Sequence, residues 1–251
     1  MTNSELLKAF LAKKSGRCYL SFCKVINLYK ITGLILMLIL TFVLLVVNQF
    51  SGQFIIACVA DAVGIVSCVL LTISAFRLMP QANGQTIRFD KTIATIHLAE
   101  GLQLFYTPFM VMMLCLLMAV LDAPSKVGPH YDYVMFRTAW EIYGLCAMIC
   151  VGTKLAVCHM LAKHAKDQQG HPWLLLLMAG ACCLPIMVYV VIVILFQPEL
   201  SGGVWLRICF IPVLLHHAVT AAAGIHYWRY LHKSQKQEGS AHRLTHQEGA
   251  V

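Results

Sequence analysis

Six runs of apolar residues, each long enough to cross a bilayer, dominate this chain: Ile31–Val47, Phe54–Phe76, Ala94–Leu121, Val134–Leu161, Trp173–Phe196 and Val204–Trp228. A spanning α-helix needs about 20 residues, and the longer runs are accommodated by tilt or by extension past the hydrocarbon core. Ile31–Val47 is the shortest but contains no charged residue. The apolar residues arrive in blocks, not at the spacing of a half-buried helix or strand, which points to membrane spans. Composition agrees: only 12% of residues are charged, against about 25% in soluble domains. The expected fold is all-α, an integral membrane helical bundle of six transmembrane helices.

Charge orients that bundle. The chain carries +8 at pH 7. In a soluble protein such an excess suggests nucleic-acid binding, but here topology accounts for it. Lys8, Lys13, Lys14, Arg17, Lys24 and Lys30 precede the first run. Arg77, Arg88 and Lys91 lie between the second and third, and Lys163 and Lys166 between the fourth and fifth. Arg229, Lys233, Lys236 and Arg243 follow the last. The other side has Lys126, with Arg137 and Arg207 just inside spans. The alternation at each crossing predicts cytoplasmic N- and C-termini. Trp173, Trp205 and Trp228 fall at span ends and Trp140 near one, as in an interfacial aromatic belt. The expected division is a basic cytoplasmic segment over 1–30, the six-span domain over 31–228, and a polar, disordered cytoplasmic tail over 229–251.

The N-terminal stretch does not read as a cleaved signal, because its basic region is too long and Asn48-Gln49-Phe50 is not a small-x-small site. The first run therefore reads as a retained anchor. Leu6, Leu7, Phe10 and Leu11 have helical spacing. The segment is expected to be an ordinary positive flank, with a short helix on the inner leaflet surface as the alternative. Cys18 and Cys23 lie in the same basic stretch, where S-palmitoylation occurs. Of the eleven cysteines, Cys58, Cys68, Cys115, Cys146, Cys150, Cys158, Cys182, Cys183 and Cys209 sit inside apolar runs. Thiols there read as small hydrophobes. No CxxC and no Cys/His metal spacing occurs, so neither a metal nor a cofactor is expected.

Ionisable groups inside spans are costly and usually face the bundle interior. At about 1.5 Å per residue, Asp61 and Glu141 lie roughly 10 Å below the outer ends of their spans. Arg137, one turn from Glu141, and Arg207 are placed to complete an outer charged layer with them. Glu100 and Lys154 lie at matched depth from the inner side and are expected to pair. His216 and His217 fall between the two layers. Ala57, Ala60, Asp61, Gly64 and Cys68 mark a small-residue face, as do His217, Ala221 and Gly224, and such faces mark close helix contact. On the third span His97, Glu100, Gln103 and Thr107 make a polar stripe leading to Pro108.

No catalytic, cofactor or nucleotide motif is present. The preferred reading is a non-catalytic assembly, adaptor or trafficking protein. The alternative is a transporter or channel-like protein with an ion or proton path through the buried acids and histidines. The third is an intramembrane lipid-modifying enzyme using His216 and His217 with Asp61 or Glu141. Paired histidines among His97, His159 and His226 would suit haem. The expected partners are membrane lipids and other membrane proteins, not nucleic acid.

Overall fold

The computed structural model describes residues 3–47, 52–78, 89–122, 131–163, 172–196 and 203–248. Side chains are described for 5–47, 52, 54–78, 91–109, 138–163, 172–194 and 211–234. Seven helices result: α1 (Asn3–Ala12), α2 (Lys14–Val47), α3 (Gly52–Leu78), α4 (Phe89–Asp122), α5 (Tyr131–Lys163), α6 (Trp173–Phe196) and α7 (Gly203–Glu248). No strand occurs among the described residues. Helices are what a low-dielectric setting permits, because each satisfies its backbone hydrogen bonds internally.

Four of these helices are apolar and long enough to cross a membrane over Lys14–Val47, Phe54–Leu78, Thr138–Lys163 and Trp173–Ile194. Their outward faces fit that setting. Leu36, Ile39, Phe42 and Val46 on α2 are exposed, as are Met187, Val190, Val191 and Ile194 on α6. A soluble monomer rarely leaves an apolar surface of that extent uncovered.

Each long helix packs on the next, and α7 returns to α2, so α2 to α7 form a closed ring. Neighbours run antiparallel. Along α3 from Gly64 to Ser67, the partners on α4 run back from Tyr106 to Ala99. Small residues set the spacing. A Cβ on Gly64 would stand 3.0 Å from the Tyr106 ring, and one on Gly224 would stand 2.9 Å from Met178 Cε and 3.3 Å from the Leu175 carbonyl oxygen. Gly64 and Gly224 of the small-residue faces expected from the sequence thus sit at the α3–α4 and α6–α7 contacts, and Ala57, Ala60, Asp61 and Cys68 are all buried.

The N-terminal segment departs from both readings of the sequence. It is helical, but its apolar face lies on protein and not on lipid. Leu6, Leu7, Phe10 and Leu11 are buried in one core with Leu20, Leu78, Ile93, Leu161, Leu175 and Leu231. The Phe10 ring lies 5.0 Å from that of Tyr227 and 5.6 Å from that of His226, and Lys13 Nζ sits 4.0 Å over Tyr230. The chain reverses between α1 and α2 through Lys13, whose N–H donates to the Phe10 carbonyl at 3.1 Å. Gly16 permits this, because a Cβ there would meet Leu11 Cα and the Phe10 oxygen, each at 2.5 Å.

Two further differences concern the ends. α7 continues through the polar tail to Glu248, where composition suggested disorder. Residues 229–248 contain no proline and are rich in Lys, Gln, Arg and Glu, which extend a helix readily once a span has nucleated it. Trp140, placed near the belt by the sequence, is fully buried, with Tyr143 and Tyr189 edge-on at 5.4 and 6.4 Å. Trp173, by contrast, is exposed at the start of α6.

Gly16→Ala is expected to unseat α1, since the obstructing atoms are backbone, and to cost about 1–3 kcal/mol. Hydrogen exchange of residues 5–12 in detergent-purified protein measures this. Unchanged protection would show that the turn tolerates a side chain.

Candidate functional site

The inner charges converge on one cavity. It has a volume of about 200 Å³ and lies inside the ring, with walls from all seven helices. Its body is apolar, from residues such as Leu71, Ile93, Val157, Leu175 and Met178, while Leu7, Phe10 and Leu11 of α1 form part of its wall. Into this lining project Asn27 from α2, Ser74 from α3, Glu100 from α4, Lys154 from α5, and His216, Thr220 and Tyr227 from α7. Tyr19 and Cys23 of α2 add a hydroxyl and a thiol.

The polar groups of this lining are under-satisfied. Asn27 Oδ1, Ser74 Oγ, Glu100 Oε2, His216 Nδ1 and Tyr227 OH are buried without a hydrogen-bond partner. Glu100 and Lys154 are 7% and 6% exposed. They share the cavity, but no direct ion pair joins them among the described residues. Depth in the sequence therefore brought the two charges to the lining of one cavity. Each buried polar atom left without a partner costs about 1–3 kcal/mol, so their concentration around one void is the mark of a site for a guest or for water.

Other candidates lie elsewhere. Asp61 is buried at the α2–α3 seam, where Thr41 Oγ1 donates to its Oδ2 at 3.1 Å, and it does not line the cavity. His217, adjacent to His216, turns away from the cavity toward α5 and α6, with Nδ1 3.4 Å from Cys150 Sγ. Of the four residues expected in an outer charged layer, the structure describes the side chains of Asp61 and Glu141. Glu141 is exposed, because the adjoining Trp140 takes the inward face of α5. The side chains of Arg137 and Arg207 lie outside the described residues.

Of the α4 polar stripe, Glu100, Gln103 and Thr107 are buried and His97 is exposed. Gln103 Nε2 lies 4.0 Å from Cys68 Sγ, and Thr107 Oγ1 donates to the Gln103 carbonyl at 2.7 Å. His97 meets His159 on the exposed side of α4 and α5, with ring centroids 6.2 Å apart, and His226 packs on Phe10. Among the described histidines only His216 faces the cavity. Cys23, one of the two juxtamembrane thiols, is buried in the cavity wall, whereas Cys18 is exposed.

One cluster escaped the sequence. Cys150, Cys182 and His217, from α5, α6 and α7, place their ligand atoms within 4.8 Å of one another, all buried. No local spacing announces it, since Cys150 and His217 are 67 positions apart.

Thr41→Val is expected to lower stability by roughly 1–3 kcal/mol, because the buried Asp61 carboxyl loses its donor, while Thr41→Ser stays close to the parent. Thermal unfolding in detergent measures both. Equal effects of Val and Ser would show that methyl packing, and not the hydroxyl, matters at this position. No protein-family model, curated protein or solved structure matches the chain.

Proposed function

We propose that the chain is a six-span membrane protein with cytoplasmic termini that binds and carries a small zwitterionic solute in its central cavity. One observation carries this reading: Glu100 and Lys154, of opposite sign, line one largely apolar cavity, and Glu100 Oε2 is buried there without a hydrogen-bond partner. A carboxylate and an ammonium on the wall of one cavity complement a guest whose own charges are reversed, its ammonium toward Glu100 and its carboxylate toward Lys154. The apolar walls then take an aliphatic or thioether body. Volume supports the same class. An apolar cavity of about 150 Å³ accommodates benzene, so about 200 Å³ suits a neutral α-amino acid of medium size. His216, Asn27 and Tyr227 supply further hydrogen bonds to the polar end.

A purely structural role fits these charges poorly. A buried pair serves a scaffold only when it is closed and hydrogen-bonded, and apolar residues of similar volume often do as well or better. Buried charges that face a cavity are costly for a scaffold and useful for a carrier. The orientation rests on the positive-inside pattern. The core that contains α1 gathers Leu78, Ile93, Leu161 and Leu231 at one end of the ring. Arg77, Lys91, Lys163 and Lys233 adjoin these residues in sequence, so the basic residues of several connections belong to that end. The six long helices correspond one to one with the six apolar runs.

Reconstituted into liposomes, the protein is expected to accumulate labelled leucine or methionine above the level of empty liposomes. Both solutes are expected to raise the unfolding temperature of detergent-purified protein, as a ligand of the folded state must. Glu100→Gln and Lys154→Met, checked as monodisperse and folded, are expected to lose uptake by at least tenfold. If the parent shows neither uptake nor stabilisation across neutral α-amino acids, the proposal fails.

A further inference from the structure

Cys150 Sγ lies 3.3 Å from Cys182 Sγ and 3.4 Å from His217 Nδ1, and the three residues are 0%, 0% and 6% exposed. Three donors from three different helices thus converge at a point remote in sequence and closed to solvent. The set contains two sulfurs, one imidazole and no carboxylate. Softness of this kind selects monovalent copper, zinc or iron–sulfur centres, and not calcium or magnesium. Zinc in structural sites is almost always four-coordinate, whereas the group found here has three members among the described residues. A d10 ion that accepts three ligands in a dry setting is copper(I).

We infer that Cys150, Cys182 and His217 form a three-coordinate copper(I) site joining α5, α6 and α7. Metal–sulfur distances of about 2.3 Å would set the two sulfurs roughly 3.8–4.0 Å apart, so the thiols need to separate by only about half an ångström. Binding converts two thiols and one neutral imidazole into a copper dithiolate–imidazole complex and releases two protons. The complex carries one negative charge. Lys154, four residues beyond Cys150 on the same face of α5, is a buried cation on the cavity side of the same helix. No electron is transferred in this step, and the site does not depend on the cavity reading.

Anaerobic titration of the purified full chain with copper(I), against the competing chelator bathocuproine disulfonate, is the test. The expected result is one ion retained per chain, with retention weakened at least tenfold in Cys150→Ser, Cys182→Ser and His217→Ala, and unchanged in Cys146→Ser. X-ray absorption at the copper edge of the parent protein should show two sulfurs and one nitrogen, which keeps the inference open to refutation if a variant misfolds. Loss of all copper to the competitor would overturn it. So would preferential retention of zinc against a zinc chelator, or a Cys150–Cys182 disulfide forming in air with no metal held.

Discussion

Within a hydrocarbon medium no water is available to satisfy a polar group, so every donor and acceptor inside the ring must find a partner in the protein or bear the cost of lacking one. Most of this structure answers that requirement locally. Thr72 and Thr107 return their hydroxyls to carbonyls four residues back on their own helices. Ser67 donates across to the Ala99 carbonyl at 2.8 Å, joining α3 to α4. Asp61, the group that would be most costly alone, receives Thr41. Against this background one group of exceptions among the described residues stands together. Asn27, Ser74, Glu100, His216 and Tyr227 keep unpartnered atoms, and all of them line one cavity. Scattered exceptions would suggest imperfect packing. Exceptions gathered on one void support the proposed reading of it as a binding site.

The sequence disclosed the parts of this design that depend on one dimension. Run length gave the helices, because a span is a linear requirement. Small residues at helical spacing gave the contacts at Gly64 and Gly224, because close approach of two backbones excludes a Cβ wherever it occurs. Depth along a span brought Glu100 and Lys154 to the same level. Rotation about the helix axis is not a linear property, and there the reading failed. Glu141 and Trp140 are adjacent in sequence, and packing gives the inward position to the ring, which fills the space between Tyr143 and Tyr189. The amphipathic pattern of Leu6, Leu7, Phe10 and Leu11 was equally legible, yet an apolar helix face does not say whether lipid or protein will cover it. The Cys150, Cys182 and His217 cluster was beyond reach for a third reason. Its members meet only when three antiparallel helices are brought into register, and no one of them neighbours another in sequence.

The two sides of the cavity are walled in different ways. On one side α5, α6 and α7 are held by the convergence of two thiols and an imidazole and by the close seat of Gly224 on Met178 and Leu175. On the other side the end of the cavity is walled by α1, a helix of ten residues. Its seat on α7 includes an aromatic contact: Phe10 among His226, Tyr227 and Tyr230, with Lys13 over the last ring. Aromatic pairs contribute about 0.5–1.5 kcal/mol each beyond the area they bury, and their geometry tolerates sliding. A short helix joined to α2 through one tight turn at Gly16 thus covers that end of the cavity, with Leu6, Leu7, Phe10 and Leu11 buried in a core shared with the long helices. If the cavity holds a solute, its route toward the basic end of the bundle passes Leu7, Phe10 and Leu11. The segment that composition alone would assign to a charged flank is then the closure of the site.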